Sequence, residues 1–311
     1  MVIKILNSLL RILVESFFIK GGLYMLIGGI EAGGTKFVCG IGNEKGEILE
    51  RVSFPTETPE ITLTKVVNFF KDKNIERLGI GSFGPIDVNP KSKTYGYITK
   101  TPKLAWTDYN IVGYLKKYFD IPMYFDTDVN GAALGEATWG AAKGLDNCLY
   151  ITIGTGIGGG ALVSGKLVHG MLHPEMGHIL VKRHPEDKYE GKCPFHKDCF
   201  EGMAAGPAIE ERWGKKGHEL PIEHKAWDIE AYYIAQGLVN FILILSPEKI
   251  ILGGGVMKQK QLFPKIRKEV INLLKGYVQT KEILKNIDNY IVYPKLGDNA
   301  GLLGAFALTL I

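Results

Sequence analysis

Residues 151–160 read Ile-Thr-Ile-Gly-Thr-Gly-Ile-Gly-Gly-Gly, an apolar run leading into five glycines within seven positions. Without a Cβ, such a turn leaves its main-chain N–H groups open to a ligand. A run of open amides suits phosphate oxygens. The pattern is not G-x-x-x-x-G-K-[ST], and Ala161-Leu162-Val163 begin a second strand instead of a helix. Two readings stay open from this stretch alone: a strand–turn–strand grip on phosphate, or a tight glycine hairpin without a ligand.

A second copy favours the grip. Residues 26–30 read as a buried strand and Glu31-Ala32-Gly33-Gly34-Thr35-Lys36 as a glycine turn; 37–41 follow as a strand, 43–46 as a hairpin turn, 47–54 as a third strand. The same order recurs over 149–153, 154–160, 161–163, 164–165 and 166–168. This is an internal duplication in pattern, though not in identity. Further strands are expected at 78–81, 122–125, 250–252 and 290–292. Helices are expected at 61–71, 109–118 (capped by Asp108), 131–139, 201–213, 229–245, 263–278 and 299–310. Alternating strands and helices with a duplicated meander imply an α/β chain of two lobes with a cleft between them. Its 311 residues suffice for two cores at roughly 150 residues per domain. The glycine turns, residues 126–130 and Gly253-Gly254-Gly255 all fall at strand ends, where open α/β sheets place ligands.

Composition removes several partners. A net charge of +4 is spread thinly, with Lys interleaved among Glu and Asp and no basic stripe, which argues against nucleic acid. Four cysteines without a secreted disulfide pattern point to a reducing, cytoplasmic setting. Residues 1–24 carry an apolar helical stripe interrupted by Arg11, Glu15 and Lys20, which suits neither a membrane helix nor a signal peptide. They read as an extension upstream of Met25, outside the fold.

Several groups carry chemistry. Gly33, Gly34, Thr35 and Lys36 offer amides, a hydroxyl and an ammonium together, a set that holds terminal phosphates. Gly154, Thr155, Gly156 and Gly158 supply the second turn, and Gly253, Gly254 and Gly255 a third close approach. Asp128 lies just before a helix, where a carboxylate stays ionised and suits a general base; Asp126 is expected to cap that helix. Cys193, His196 and Cys199 recur every three residues and His178 lies fifteen before Cys193, a tetrahedral zinc pattern with His184 as a rival fourth ligand. Glu175 and Glu201 flank that loop, where a metal would hold them ready for sugar hydroxyls. His169, His173, His218 and His224 read as ordinary surface or loop histidines, with His173 near the site. Cys39 and Cys148 read as small buried apolar residues.

Together, Gly33-Gly34-Thr35-Lys36, Asp128-Val129-Asn130, His173-Pro174-Glu175-Met176-Gly177-His178, the cysteine cluster and the 154–160 loop resemble the ROK family of sugar kinases. Ser82-Phe83-Gly84-Pro85-Ile86-Asp87 and Ala137-Thr138-Trp139-Gly140 are most similar to its bacterial fructokinases. The resemblance runs from Met25 to the C-terminus. It implies an actin-like (ribonuclease-H-like) fold, ATP with Mg²⁺, a structural Zn²⁺ and a homodimer. The lobes would be 25–126 and 127–298, the latter holding the zinc loop 178–199, with the helix over 299–311 packing back on the first. Asp128 matches the catalytic base; Gly84, Pro85, Glu175, His178 and Glu201 match sugar contacts, and His178 is also a zinc ligand. Partners would be a sugar and a nucleotide, with neither nucleic acid nor membrane. The expected reaction is phosphorylation of a hexose at its 6-hydroxyl, fructose before mannose or glucose. A sugar-responsive regulator is the rival, but residues 1–24 are too short and apolar for a helix-turn-helix. Two departures stand out: Glu31 replaces the family's usual Asp, and Thr127 the Asn that its glucokinases keep.

Overall fold

Two five-stranded sheets repeat one design in the computed structural model, which describes residues 24–311; the expected extension, apart from Tyr24, lies outside the described residues. The strands are β1 (Ile27–Ala32), β2 (Lys36–Gly42), β3 (Ile48–Pro55), β4 (Arg77–Ser82), β5 (Tyr97–Ile98), β6 (Tyr109–Asn110), β7 (Met123–Thr127), β8 (Cys148–Ile153), β9 (Ile157–Val163), β10 (Lys166–Leu167), β11 (Lys249–Gly253) and β12 (Ile291–Val292). The first sheet has the order β3-β2-β1-β4-β7 and the second β10-β9-β8-β11-β12. In each, an antiparallel meander is extended by parallel strands: Ile30 faces Cys39 antiparallel and Ile80 parallel, as Ile151 faces Gly159 and Leu252. Ile27, Ile30, Leu78, Ile80, Ile151 and Ile250 are all fully buried. Strands covered on both faces need such continuous apolar runs.

Six helices of eight or more residues are described: α1 (Pro59–Phe70), α2 (Asp128–Thr138), α3 (Gly206–Trp213), α4 (Ala226–Leu245), α5 (Leu262–Leu274) and α6 (Ala300–Leu308). Leu63, Val66 and Phe70 pack α1 onto the first core. Trp227, Tyr233, Leu238, Ile266 and Val270 pack α4 and α5 onto the second. Helix α4 is long and apolar enough to cross a membrane, yet its inner face lies in this core.

Helices α6 and α2 join the sheets through glycine. A Cβ on Gly79 of β4 would overlap the Ala305 carbonyl oxygen, and one on Gly29 would come within 2.6 Å of the Phe306 ring. On the other side, a Cβ on Gly160 of β9 would overlap the Val129 carbonyl of α2. The two helices then cross at Gly304 and Gly131, whose backbones are in contact, with Gly135 one turn on.

The second glycine turn spans 154–156 only; Ile157 begins β9, so Gly158 and Gly160 are strand residues that make room for Val129. Asp108 caps no helix either: it takes a left-handed turn (φ 54°) before β6, and the Asn110 side chain accepts from the Gly113 amide at 2.6 Å to start a short helix, Ile111–Leu115. The helix expected over 201–213 breaks at Ala205, which is extended before Gly206-Pro207 open α3. The one expected over 263–278 stops at Leu274, where Lys275 and Gly276 turn left-handed.

Gly304→Ala is expected to lower the urea-unfolding midpoint by the equivalent of about 1–3 kcal/mol, through overpacking of the crossing. An unchanged midpoint would show that the two helices part without cost.

Candidate active site

The first turn joins β1 to β2 and is pinned from β3. Gly33 N donates to Lys36 O (3.0 Å), Thr56 Oγ1 donates to Gly33 O (2.7 Å) and Thr56 N to Thr35 O (2.9 Å). The Gly34 and Thr35 amides have no partner among the described residues. The second turn, 154–156, is built alike: Gly154 N donates to Gly156 O (2.9 Å) and Gly206 N to Gly154 O (2.7 Å). Glu201 accepts from Ile157 N at 2.9 Å, and a Cβ on Gly156 would lie 2.7 Å from its carboxylate. Gly253–Gly255 close beside this turn; Gly254 has φ +89°, and a Cβ on Gly154 would sit 3.7 Å from Gly255 N. A cavity of about 400 Å³ opens there, lined by Thr155, Pro207, Lys216, Trp227, Gly255 and Gln259 among others.

Asp128 is the first residue of α2, and its Oδ1 accepts from Val129 N at 2.9 Å. It sits over the end of β4, where a Cβ on Gly81 would be 3.4 Å from its Cα. Burial first, and then the charge of Glu31, push its carboxyl up to about 7; Glu175 adds to the effect. Glu31 is itself raised by burial, partly offset by Lys36 and Arg51.

The helix cap is Thr127, whose Oγ1 accepts from Asn130 N at 3.1 Å. Asp126 does not fill that role. It is buried in β7 and accepts from Thr127 N (2.7 Å) and Asn130 Nδ2 (2.8 Å), while His169 Nε2 lies 2.8 Å away. A buried carboxylate takes every partner within reach, and here strand geometry turns it away from the helix axis. Hydrogen bonding to Asp126 raises the His169 pKa.

His173 is also buried. Its Nε2 accepts from Ile86 N (3.1 Å), its Nδ1 faces Glu175 Oε1 (3.6 Å), and its ring would be 3.4 Å from a Cβ on Gly84. The Gly84-Pro85 segment and Glu175 therefore meet through one imidazole.

Four ligand atoms converge beside Glu201. His178 Nδ1, Cys193 Sγ, His196 Nδ1 and Cys199 Sγ all lie within 4.8 Å of one another. Cys193 Sγ is 3.7 Å from both imidazole nitrogens, and Cys199 Sγ is 3.6 Å from His178 Nδ1. A tetrahedral ion with zinc bond lengths sets sulfur–nitrogen edges at about 3.6 Å. The donor set and its edges fit zinc. His184 stands apart, its ring edge-on to Tyr232 and its Nδ1 accepting from Glu186 N.

A sequence profile described as the ROK family matches residues 27–310. The chain belongs to the ROK family. It is 55% identical over 283 residues to a putative fructokinase of Bacillus subtilis, covering 91% of this chain and 95% of that one. It is 48% identical to a fructokinase of Pediococcus pentosaceus, covering 91% and 97%. Among solved structures, a ROK hexokinase from Thermus thermophilus superposes with a TM-score of 0.75 at 26% identity, covering 91% and 97%. The duplicated sheets are thus the actin-like fold that the resemblance implies.

Within this ROK chain, some candidates gather and others do not. Asp128, Glu31 and Glu175 share one electrostatic neighbourhood. The 154–156 and 253–255 turns adjoin, and Glu201 ties the former to the metal cluster. Gly158 lies apart, under Val129. Pro207, Lys216, Trp227 and Gln259 carry no sequence signal, because the cavity is assembled from distant segments.

Two outcomes follow. The purified chain is expected to carry about one zinc ion, and Cys199→Ser to lose it with a lower melting temperature; a metal-free wild type of full stability would contradict the cluster. The folded Asp128 holds its proton to about pH 7, against about 3.9 when unfolded, so its ionisation costs stability. That cost is absent below about pH 4, grows up to 7 and stays above it. Asp128→Asn should raise the melting temperature at pH 8 and leave it unchanged at pH 4; an equal shift at both values would refute the strain.

Proposed function

We propose that the chain transfers the γ-phosphoryl group of ATP to the 6-hydroxyl of a hexose, with fructose as the preferred acceptor. The observation that carries the reading is Asp128, a carboxyl raised to about 7 at a helix start beside the end of β4. A general base works best with a pKa near the operating pH, and this one is so poised. The choice of fructose rests on relatives 48–55% identical over 91% of the chain, each named a fructokinase or putative fructokinase.

In this reading the amides of Gly34, Thr35, Thr155 and Gly156 receive phosphate oxygens, with Lys36 alongside and Gly33, Gly154 and Gly253–Gly255 setting the turns. The 400 Å³ cavity beyond them accommodates the nucleoside. Gly84, Pro85, Glu175, His178 and Glu201 surround the sugar. His178 turns Nδ1 to the metal cluster, which leaves Nε2 for a hydroxyl. Zinc would fix the loop that carries His178 and Glu201, a structural task. Glu31 and Asp298 gather negative charge near the first turn, carboxylates that fit Mg²⁺ brought in with the nucleotide, which leaves Asp128 free as the base. Mg²⁺ supplies neutralisation of phosphate charge when bound.

Asp128 takes the proton as the hydroxyl oxygen attacks. The open amides are fixed in advance, so stabilising the transferred charge needs no rearrangement. A homodimer in the cytoplasm completes the reading; Leu243 and Ile244, 51% and 75% exposed at the end of α4, offer apolar surface for a second copy.

Asp128→Asn is expected to lower kcat by about 10²–10⁴-fold with fructose binding retained. In the wild type, kcat/KM for the sugar should rise with pH up to about 7 and then level. A variant turning over at the wild-type rate would refute the base.

A further inference from the structure

We infer that Lys103 is a further catalytic residue, whose ammonium meets the phosphoryl group as it passes from nucleotide to sugar. The inference rests on the kinase reading and extends it to a cation that none of the site's motifs contains.

Trp106 anchors the segment that carries Lys103. Trp106 is almost fully buried; its Nε1 donates to Glu57 O at 2.8 Å. Its ring stacks on Phe37 at 5.3 Å and meets Phe83 edge-on at 5.8 Å. Phe37 follows the Gly33–Lys36 turn directly, and Phe83 directly precedes Gly84. One side chain therefore ties the segment around Lys103 both to the phosphate turn and to the segment proposed to face the sugar. Locally, Trp106 N donates to Lys103 O (2.8 Å) and Lys103 N to Thr101 Oγ1 (3.4 Å), so the backbone at Lys103 is held from both sides.

The side chain then reaches back over the turn. A Cβ on Gly34 would lie 3.3 Å from Lys103 Cε and 4.0 Å from Cδ. The end of the aliphatic stem thus rests against Gly34, inside the turn whose Gly34 and Thr35 amides are open, and the ammonium lies one bond beyond Cε. Lys103 has no ion-pair partner among the described residues. Lys36, the cation within the turn, partly offsets the raised pKa of half-buried Glu31, and Lys103 adds a second cation beside the same turn.

The sugar oxygen bonds to the γ-phosphorus, the bond from that phosphorus to the β–γ bridging oxygen breaks, ADP leaves with the electron pair, and the hydroxyl proton goes to Asp128. Lys103 stays protonated throughout and donates hydrogen bonds to the oxygens of the moving group. Such charge stabilisation is the main catalytic resource in phosphoryl transfer.

The test compares wild type, Lys103→Met and Lys103→Arg in the full chain, with ATP and fructose. Lys103→Met should lose about 10²–10³-fold in kcat, the usual effect of deleting one donor to transition-state charge. KM for both substrates should stay within about threefold and the melting temperature should not move. Lys103→Arg should recover at least about tenfold of the loss. A Lys103→Met enzyme with wild-type kcat overturns the inference, as does a loss confined to the fructose KM or one that Lys103→Arg does not relieve. A wild-type chain that phosphorylates no hexose overturns the kinase reading itself, whatever Lys103 does.

Discussion

Everything in the cleft depends on the crossing of α2 and α6 at Gly131 and Gly304. Backbone touches backbone there, with no side chain between the helices. Each helix is in turn seated on glycines of its own sheet, α6 on Gly29 and Gly79 and α2 on Gly158 and Gly160. The two halves of the duplication are thereby held through a stack of close contacts with little room for adjustment. Close-packed interiors transmit displacement because they have few voids to absorb it.

The chemistry inherits this rigidity. Asp128 is the first residue of α2, three positions before Gly131. Its place relative to both glycine turns is therefore set by the crossing, not by a flexible loop. The same packing that buries the carboxyl raises its affinity for a proton. Ionising this residue therefore costs stability above about pH 4. The charge of Glu31 is opposed by Lys36 and Arg51, and that of Asp128 by the Val129 amide. Elsewhere in the site, His173 faces Glu175 and the Ile157 amide holds Glu201, so neither carboxylate is left to its loop alone.

Much of the fold was legible because its signals are local. Apolar runs ending in glycine turns marked both meanders, and their common order marked the duplication. The convergence of His178, Cys193, His196 and Cys199 was legible for the same reason, since three of them lie within seven residues. What sequence could not show is what tertiary contact decides. Gly158 and Gly160 look like ligand-binding glycines until Val129 is placed against them. Asp126 and Thr127 are both good caps, and only strand direction and burial assign the role to Thr127. His169 and His173 looked ordinary because their partners, Asp126 and Ile86, lie 43 and 87 residues away. Lys103 gave no signal at all, since nothing in the chain predicts that Trp106 folds it over Gly34.

The chemistry proposed for this constellation is phosphorylation of fructose at its 6-hydroxyl. The most direct measurement supplies the purified full-length chain with ATP, Mg²⁺ and, separately, fructose, mannose and glucose, and identifies products by phosphorus NMR. Fructose 6-phosphate and ADP are expected in equal amounts, with kcat/KM for fructose at least about tenfold above that for either aldose, a margin that one or two binding contacts supply. Phosphorylation at another hydroxyl, or a preference for glucose, would contradict it.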